Sequence, residues 1–208
     1  PHTAGHSSRV AKFTRKIAEK INDEKSGPFK DVNFSDEELK EIWVAGLMHD
    51  VGKIGVPEAV LEKHNRLDGA NFLLVLDRLK MIKESFIFKS RIRNIKENKP
   101  EDYIDDQLKS ELEEWAKEFE FLNWLNKPGF LPDDKKDFLD SIAKKKYIDS
   151  SGNSHNYLTE EEHEAFSVRK GNLTDAERKT IQSHIISTKT LLSKLPFPKK
   201  WKNVPLYA

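Results

Sequence analysis

Apolar residues recur along this chain three and four positions apart, while alternation with a period of two is scarce, so the pattern predicts helices almost throughout. Val10, Phe13, Thr14, Ile17 and Ile21 form one stripe of a first helix, expected to stop before Ser26-Gly27-Pro28. Ser35-Asp36-Glu37-Glu38 has the form of a capping box, in which the serine hydroxyl serves a backbone N–H and Glu38 reaches back. The helix it opens carries Leu39, Ile42, Trp43, Gly46 and Leu47 inward and should finish near Asp50-Val51-Gly52, followed by a short helix over Glu58–Lys63. A further box, Thr174-Asp175-Ala176-Glu177, opens a helix with Ile181, His184, Ile185, Thr188, Leu191 and Leu192 on one face, and Pro196, Pro198 and Pro205 then break the pattern.

The stretch from Leu67 to Arg169 differs in character. It holds three amphipathic runs, of which the longest is Ile104, Leu108, Leu112, Trp115, Phe119 and Leu122. Lys127-Pro128-Gly129 and Ser150-Ser151-Gly152-Asn153 separate its pieces. The expected architecture is all-α: a helical core over 1–66 and 170–208, with an inserted helical subdomain over 67–169. Within the insertion, Trp115, Phe119 and Trp124 read as core, Lys144-Lys145-Lys146 as a solvated helix face, and His155 and His163, like His64 before the insertion, as surface residues.

Composition narrows the function. Hydrophobic residues make up 37% of the 208, enough for a core of ordinary size. Lys+Arg 36 against Asp+Glu 35 leaves no basic excess, so binding to a nucleic-acid polymer is not expected. The absence of cysteine excludes disulfides, thiolate metal sites and a cysteine nucleophile. No apolar run has the length of a membrane span. The chain begins at Pro1 without an initiator Met and stops at Tyr207-Ala208, and it reads as a piece of something longer.

The candidate chemistry lies in histidines and one aspartate. His49-Asp50 closes a helix whose preceding residues, Trp43 to Met48, are apolar or small. An imidazole and a carboxylate at a buried helix end cost several kcal/mol of desolvation unless something compensates. A divalent cation would do so, and Gly52 and Gly55 supply the backbone freedom to bring both groups to one ion. The bland alternative is a helix-end cap. His6 extends the inward stripe through Val10, and His184 sits between Ile181 and Ile185. Taken singly, an inward histidine is more often a hydrogen-bonded core residue than a ligand. Three of them with an aspartate, on separate helices, make a ligand set for metal inside a bundle. Lys53, one turn on, would neutralise a phosphate oxygen beside such a metal, or else is an ordinary solvated lysine.

The segments His2-Thr3-Ala4-Gly5-His6-Ser7-Ser8-Arg9-Val10 and Leu47-Met48-His49-Asp50-Val51-Gly52-Lys53-Ile54-Gly55-Val56-Pro57 resemble the HD-GYP branch of the HD phosphohydrolase superfamily. Lys170 to His184 resembles that family's next helix. The resemblance implies a helical bundle around two divalent metal ions, sometimes three, usually iron or manganese. It implies hydrolysis of a cyclic dinucleotide, typically cyclic di-GMP, to linear pGpG or GMP by a metal-activated water. It also implies a bacterial signalling protein, cytoplasmic or the cytoplasmic part of a larger sensor, with sensor or receiver domains or a second copy as partners. Carried over, His6 and His49 bind the first metal, Asp50 bridges both, and His184 binds the second. Lys53 contacts the scissile phosphate, and Gly55 belongs to the same substrate-binding loop.

This chain departs from the family pattern in three places. The paired histidines, the Gly-Tyr-Pro loop and a later aspartate ligand would follow Ala208. His2 stands where members with a third metal carry Glu, which makes it a candidate additional ligand. The 67–169 stretch interrupts a connection that is usually short. The alternatives are an HD-type phosphohydrolase acting on a nucleotide or other phosphoester, and a degenerate HD module without catalysis.

Overall fold

A computed structural model of the protein describes residues 2–100 and 102–208, with the side chains of the first four residues outside the description. The chain is all-α apart from short strands. In order, the elements are α1 (His2–Asp23), α2 (Asp36–Met48), a 3-10 helix (Val51–Gly55), α3 (Glu58–Leu61), α4 (Gly69–Lys96), α5 (Asp106–Leu125), β1 (Gly129–Phe130) and α6 (Asp133–Ala143). There follow β2 (Lys146–Ile148), β3 (Ser154–Asn156), α7 (Glu160–Phe166), β4 (Lys170–Gly171), α8 (Asp175–Gln182), α9 (His184–Lys194), a 3-10 turn (Lys199–Trp201) and α10 (Val204–Tyr207). The chain divides into two compact units, residues 1–61 with 177–208, and residues 62–176.

In the first unit, α2 begins as its sequence dictates. The Ser35 hydroxyl accepts from the Glu38 N–H, and the Ser35 N–H donates to Glu38 Oε2 at 2.8 Å. The packing of α1 on α2 differs from the expected stripe. Phe13 and Ile17 are largely exposed, and among the described side chains of α1 the buried ones are Ala11 and Ala18. Small residues face α2 because the two backbones nearly touch: a Cβ on Gly46 would lie 2.7 Å from the Ala11 Cα. The larger side chains are displaced to the flank, where Val10, Ile17 and Ile21 line an open apolar cleft of about 460 Å³.

The helix expected from Thr174 onward is broken at Ser183, directly before His184. Side chains there take the carbonyls of the preceding turn, with Ser183 Oγ donating to the Thr180 carbonyl and His184 Nδ1 to that of Ile181. The chain's last residues are held by a buried carboxylate on α2. Glu41 accepts from the Asn203 N–H and, at 3.2 Å, from its Nδ2, which seats α10.

The second unit has its own apolar core, including Val75, Leu79 and Ile82 of α4, Leu122 and Leu125 of α5, Leu139 and Ile142 of α6, and Phe166 of α7. Trp115 donates its Nε1–H to the Leu79 carbonyl and stacks on Phe119, whereas Trp124 is half-exposed. Two features depart from an all-helical insertion. β1 pairs antiparallel with β4, and β2 with β3. Strands of two and three residues are too short to show a period of two, which is why the pattern hid them. The Ser150–Asn153 break is the turn of the β2–β3 hairpin, closed by Asp149 accepting from the Ser151 and Asn153 N–H groups. Nor is Lys144-Lys145-Lys146 a helix face: α6 ends at Ala143, Lys146 starts β2, and Lys145 pairs with Glu114 and the buried Glu118. His155 and His163 hold Asp149 and Asp140.

Arg66 closes this unit. Its buried guanidinium donates to the carbonyls of Leu125, Lys127, Gly129 and Val168, tying the unit's entry to its exit. These bonds and the β1–β4 pair bring Arg66 and Lys170-Gly171 inside the unit, so its limits fall wider than 67–169. Arg66→Met is expected to leave the carbonyls without a donor and to cost on the order of 3 kcal/mol in a denaturant titration. A loss below about 0.5 kcal/mol would mean the clamp adds nothing beyond a surface contact.

Candidate metal centre

Four elements of the first unit deliver the candidate residues to one point. α1 brings His6, and the end of α2 brings His49 as its C-cap. Asp50 then leaves the helical conformation (φ −111°, ψ 14°) before the 3-10 helix turns Lys53 back. The start of α9 brings His184.

The side chains converge on the Asp50 carboxylate, and its two oxygens look in different directions. Oδ2 lies 3.2 Å from His49 Nε2, 3.9 Å from His6 Nε2 and 2.6 Å from Lys53 Nζ. Oδ1 lies 3.3 Å from His184 Nε2. The His6 and His49 rings stand 5.5 Å apart, centroid to centroid. Asp50 and His184 are mostly shielded, whereas His6 is about half exposed, so the group opens towards solvent on the α1 side.

The remaining ring nitrogens say which lone pairs are free. His49 Nδ1 lies 2.9 Å from the Gly46 carbonyl, and His184 Nδ1 sits on that of Ile181. A carbonyl oxygen only accepts, so Nδ1 carries the proton in both rings and Nε2 is the nitrogen left facing the carboxylate. That nitrogen meets the anion at 3.2–3.3 Å, a contact that is favourable when a positive charge lies there, either a proton on Nε2 or a metal cation between the two. Three imidazole Nε2 atoms and a carboxylate offering one oxygen to each side fit divalent ions of the first transition row. His6, His49 and Asp50 by themselves bring ligand atoms within 4.8 Å of one another. Burial pushes the Asp50 carboxyl up, but the Lys53 hydrogen bond and the positive charges of His49, when protonated, of Lys53 and of His184, when protonated, outweigh it and hold it below its ordinary value.

A contact that no pattern announced fixes the register. The Gly52 N–H donates to Thr188 Oγ1 at 2.9 Å, in a buried bond between residues 136 apart. A Cβ at Gly52 would lie 2.2 Å from the His184 carbonyl oxygen and 2.4 Å from the Thr188 nitrogen. The loop after Asp50 and the first turn of α9 are thus pressed together backbone to backbone. Beside them a cavity of about 440 Å³ is lined by His49, Asp50, His184, Lys189 and residues of α10.

One candidate is not brought in. Gly55 is exposed, and a Cβ there would meet nothing within 4 Å, so no close approach requires glycine at that position. The side chain of His2 lies outside the described residues.

The family model for the HD domain matches residues 3–137, and the chain belongs to the HD domain family. HD domains bind divalent metal ions, in keeping with the donor set around Asp50. Over 77 residues the chain is 40% identical to the 3'3'-cGAMP-specific phosphodiesterase 3 of Vibrio cholerae serotype O1 (strain ATCC 39315 / El Tor Inaba N16961). That stretch covers 36% of this chain and 14% of the relative's length. No solved structure matches the chain significantly. Among the described residues no helix is long and apolar enough to cross a membrane.

Proposed function

We propose that the chain forms the metal-binding part of a phosphodiesterase that hydrolyses a cyclic dinucleotide in a bacterial cytoplasm. The observation that carries the reading is the Asp50 carboxylate, which offers one oxygen to His6, His49 and Lys53 and the other to His184. A carboxylate so placed suits a pair of divalent ions, iron or manganese, with His6 and His49 on one side, His184 on the other and Asp50 shared. When bound, such ions supply Lewis acidity to the phosphate and lower the pKa of water. The chain's own groups do the rest. Nδ1–H bonds to Gly46 and Ile181 keep the His49 and His184 rings turned towards Asp50. The Lys53 ammonium, 2.6 Å from the carboxylate, is placed to take a non-bridging phosphate oxygen. Gly55 and His2 remain assigned by resemblance alone, to the substrate loop and to an additional ion.

Both the HD-GYP-like motifs and the partial relative point to cyclic dinucleotides as the substrate class, cyclic di-GMP through the first and 3'3'-cGAMP through the second. The test is hydrolysis of each by the anaerobically purified protein with Fe²⁺ or Mn²⁺. Linearisation of at least one is expected, with Lys53→Ala about a hundredfold slower at unchanged metal content. Metal-loaded protein that leaves both intact would refute the substrate class. Loss of metal in Lys53→Ala would refute the role of Lys53.

A further inference from the structure

α4 carries apolar rows on two separate faces. Val75, Leu79 and Ile82 are buried in the core of the second unit, yet Leu74, Met81, Phe88 and Ile95 are 62%, 60%, 64% and 61% exposed. Those four stand seven residues apart, and Leu73 and Ile92, also exposed, widen the stripe. A seven-residue repeat is the spacing that lets a second helix follow the stripe. From Leu74 to Ile95 it runs about 33 Å. Separate apolar residues on a surface are ordinary; a continuous row of this length on one helix marks an interface.

The charges beside the row change sign along it, from Asp77 and Glu84 to Lys89, Arg91 and Lys96, so the face is complementary to a reversed copy of itself. The positions between the apolar residues are Asp77, Glu84 and Arg91, and the C-terminal half adds Lys89 and Lys96. A parallel copy would set Asp77 on Asp77, Glu84 on Glu84 and Arg91 on Arg91, like charge on like. A copy turned end for end brings Asp77 towards Lys89 and Arg91 of the other chain and leaves one like pair, Glu84 beside Glu84 near the axis. It also stacks Leu74 on Ile95 and Met81 on Phe88 about a two-fold axis near residues 84–85, so one patch serves both copies.

We propose that the exposed face of α4 is a homodimer seam in which two copies of this chain pack antiparallel. The proposal stands apart from the metal site and needs no ligand there.

Sedimentation of the whole chain is expected to show a dimer at about 100 µM, with Phe88→Glu raising the dissociation constant at least about tenfold. Because Phe88 projects into solvent, an unchanged helical circular-dichroism spectrum should accompany that change. The natural chain has no cysteine, so engineered ones report orientation without background. Leu74→Cys mixed with Ile95→Cys should cross-link, while Leu74→Cys alone should not. A monomer at that concentration, as when another partner covers the face, would overturn the proposal. So would a dimer indifferent to Phe88→Glu, or efficient self-cross-linking of Leu74→Cys.

Discussion

Replacing Asp50 with Ala is expected to abolish phosphodiester hydrolysis, by at least about a thousandfold, and metal retention together. The reason is geometric. His6, His49, Lys53 and His184 each face this carboxylate, so its removal takes the common partner from four side chains at once. It also takes away the only anion among them, leaving three imidazoles and an ammonium to hold a cation. Asp50→Asn separates charge from shape: it keeps the size and one acceptor oxygen but not the charge, and metal should still be lost. Metal analysis and turnover on the same preparations check both variants. Near-normal turnover in either would contradict the role proposed for Asp50.

Gly52→Ala should be the most damaging single-methyl change in the first unit. The added Cβ would fall 2.2 Å from the His184 carbonyl oxygen and 2.4 Å from the Thr188 nitrogen, both main-chain atoms that no rotamer change can move. α9 would have to withdraw, carrying His184 from Asp50 and breaking the Gly52–Thr188 bond. A stability loss of about 3 kcal/mol is expected in chemical denaturation, together with weaker metal binding. Thr188→Val isolates the hydrogen bond, since it keeps the volume and leaves the buried Gly52 N–H without its acceptor, at about 1–3 kcal/mol. A Gly52→Ala protein as stable as the parent would show that the close approach of loop and helix is not maintained in solution.

The start of α2 could be read from Ser35 to Glu38 because a capping box is local: donor and acceptor lie three residues apart. His6, His49, Asp50 and His184 stood out because polar groups on apolar stripes need a reason, and their side chains do meet around one carboxylate. Their assignment as ligands is the proposal made above. What the pattern did not disclose was set at long range or by shape. Ala11 rather than Phe13 faces α2 because Gly46 lets the backbones close, a matter of fit that hydrophobicity does not encode. Arg66 looks like any surface arginine until the carbonyls of Leu125, Lys127, Gly129 and Val168 surround it. The Gly52–Thr188 bond joins residues 136 apart, with nothing in either neighbourhood to announce the other.

Divalent metal bound per chain is the quantity on which the account turns. Elemental analysis of the anaerobically purified protein, after reconstitution with Fe²⁺ or Mn²⁺ and removal of loose ions, is predicted to find at least about one ion per chain, lost when His49 or Asp50 is replaced by Ala. Protein that keeps its helical spectrum yet retains no ion, or retains the same amount in both variants, would contradict it.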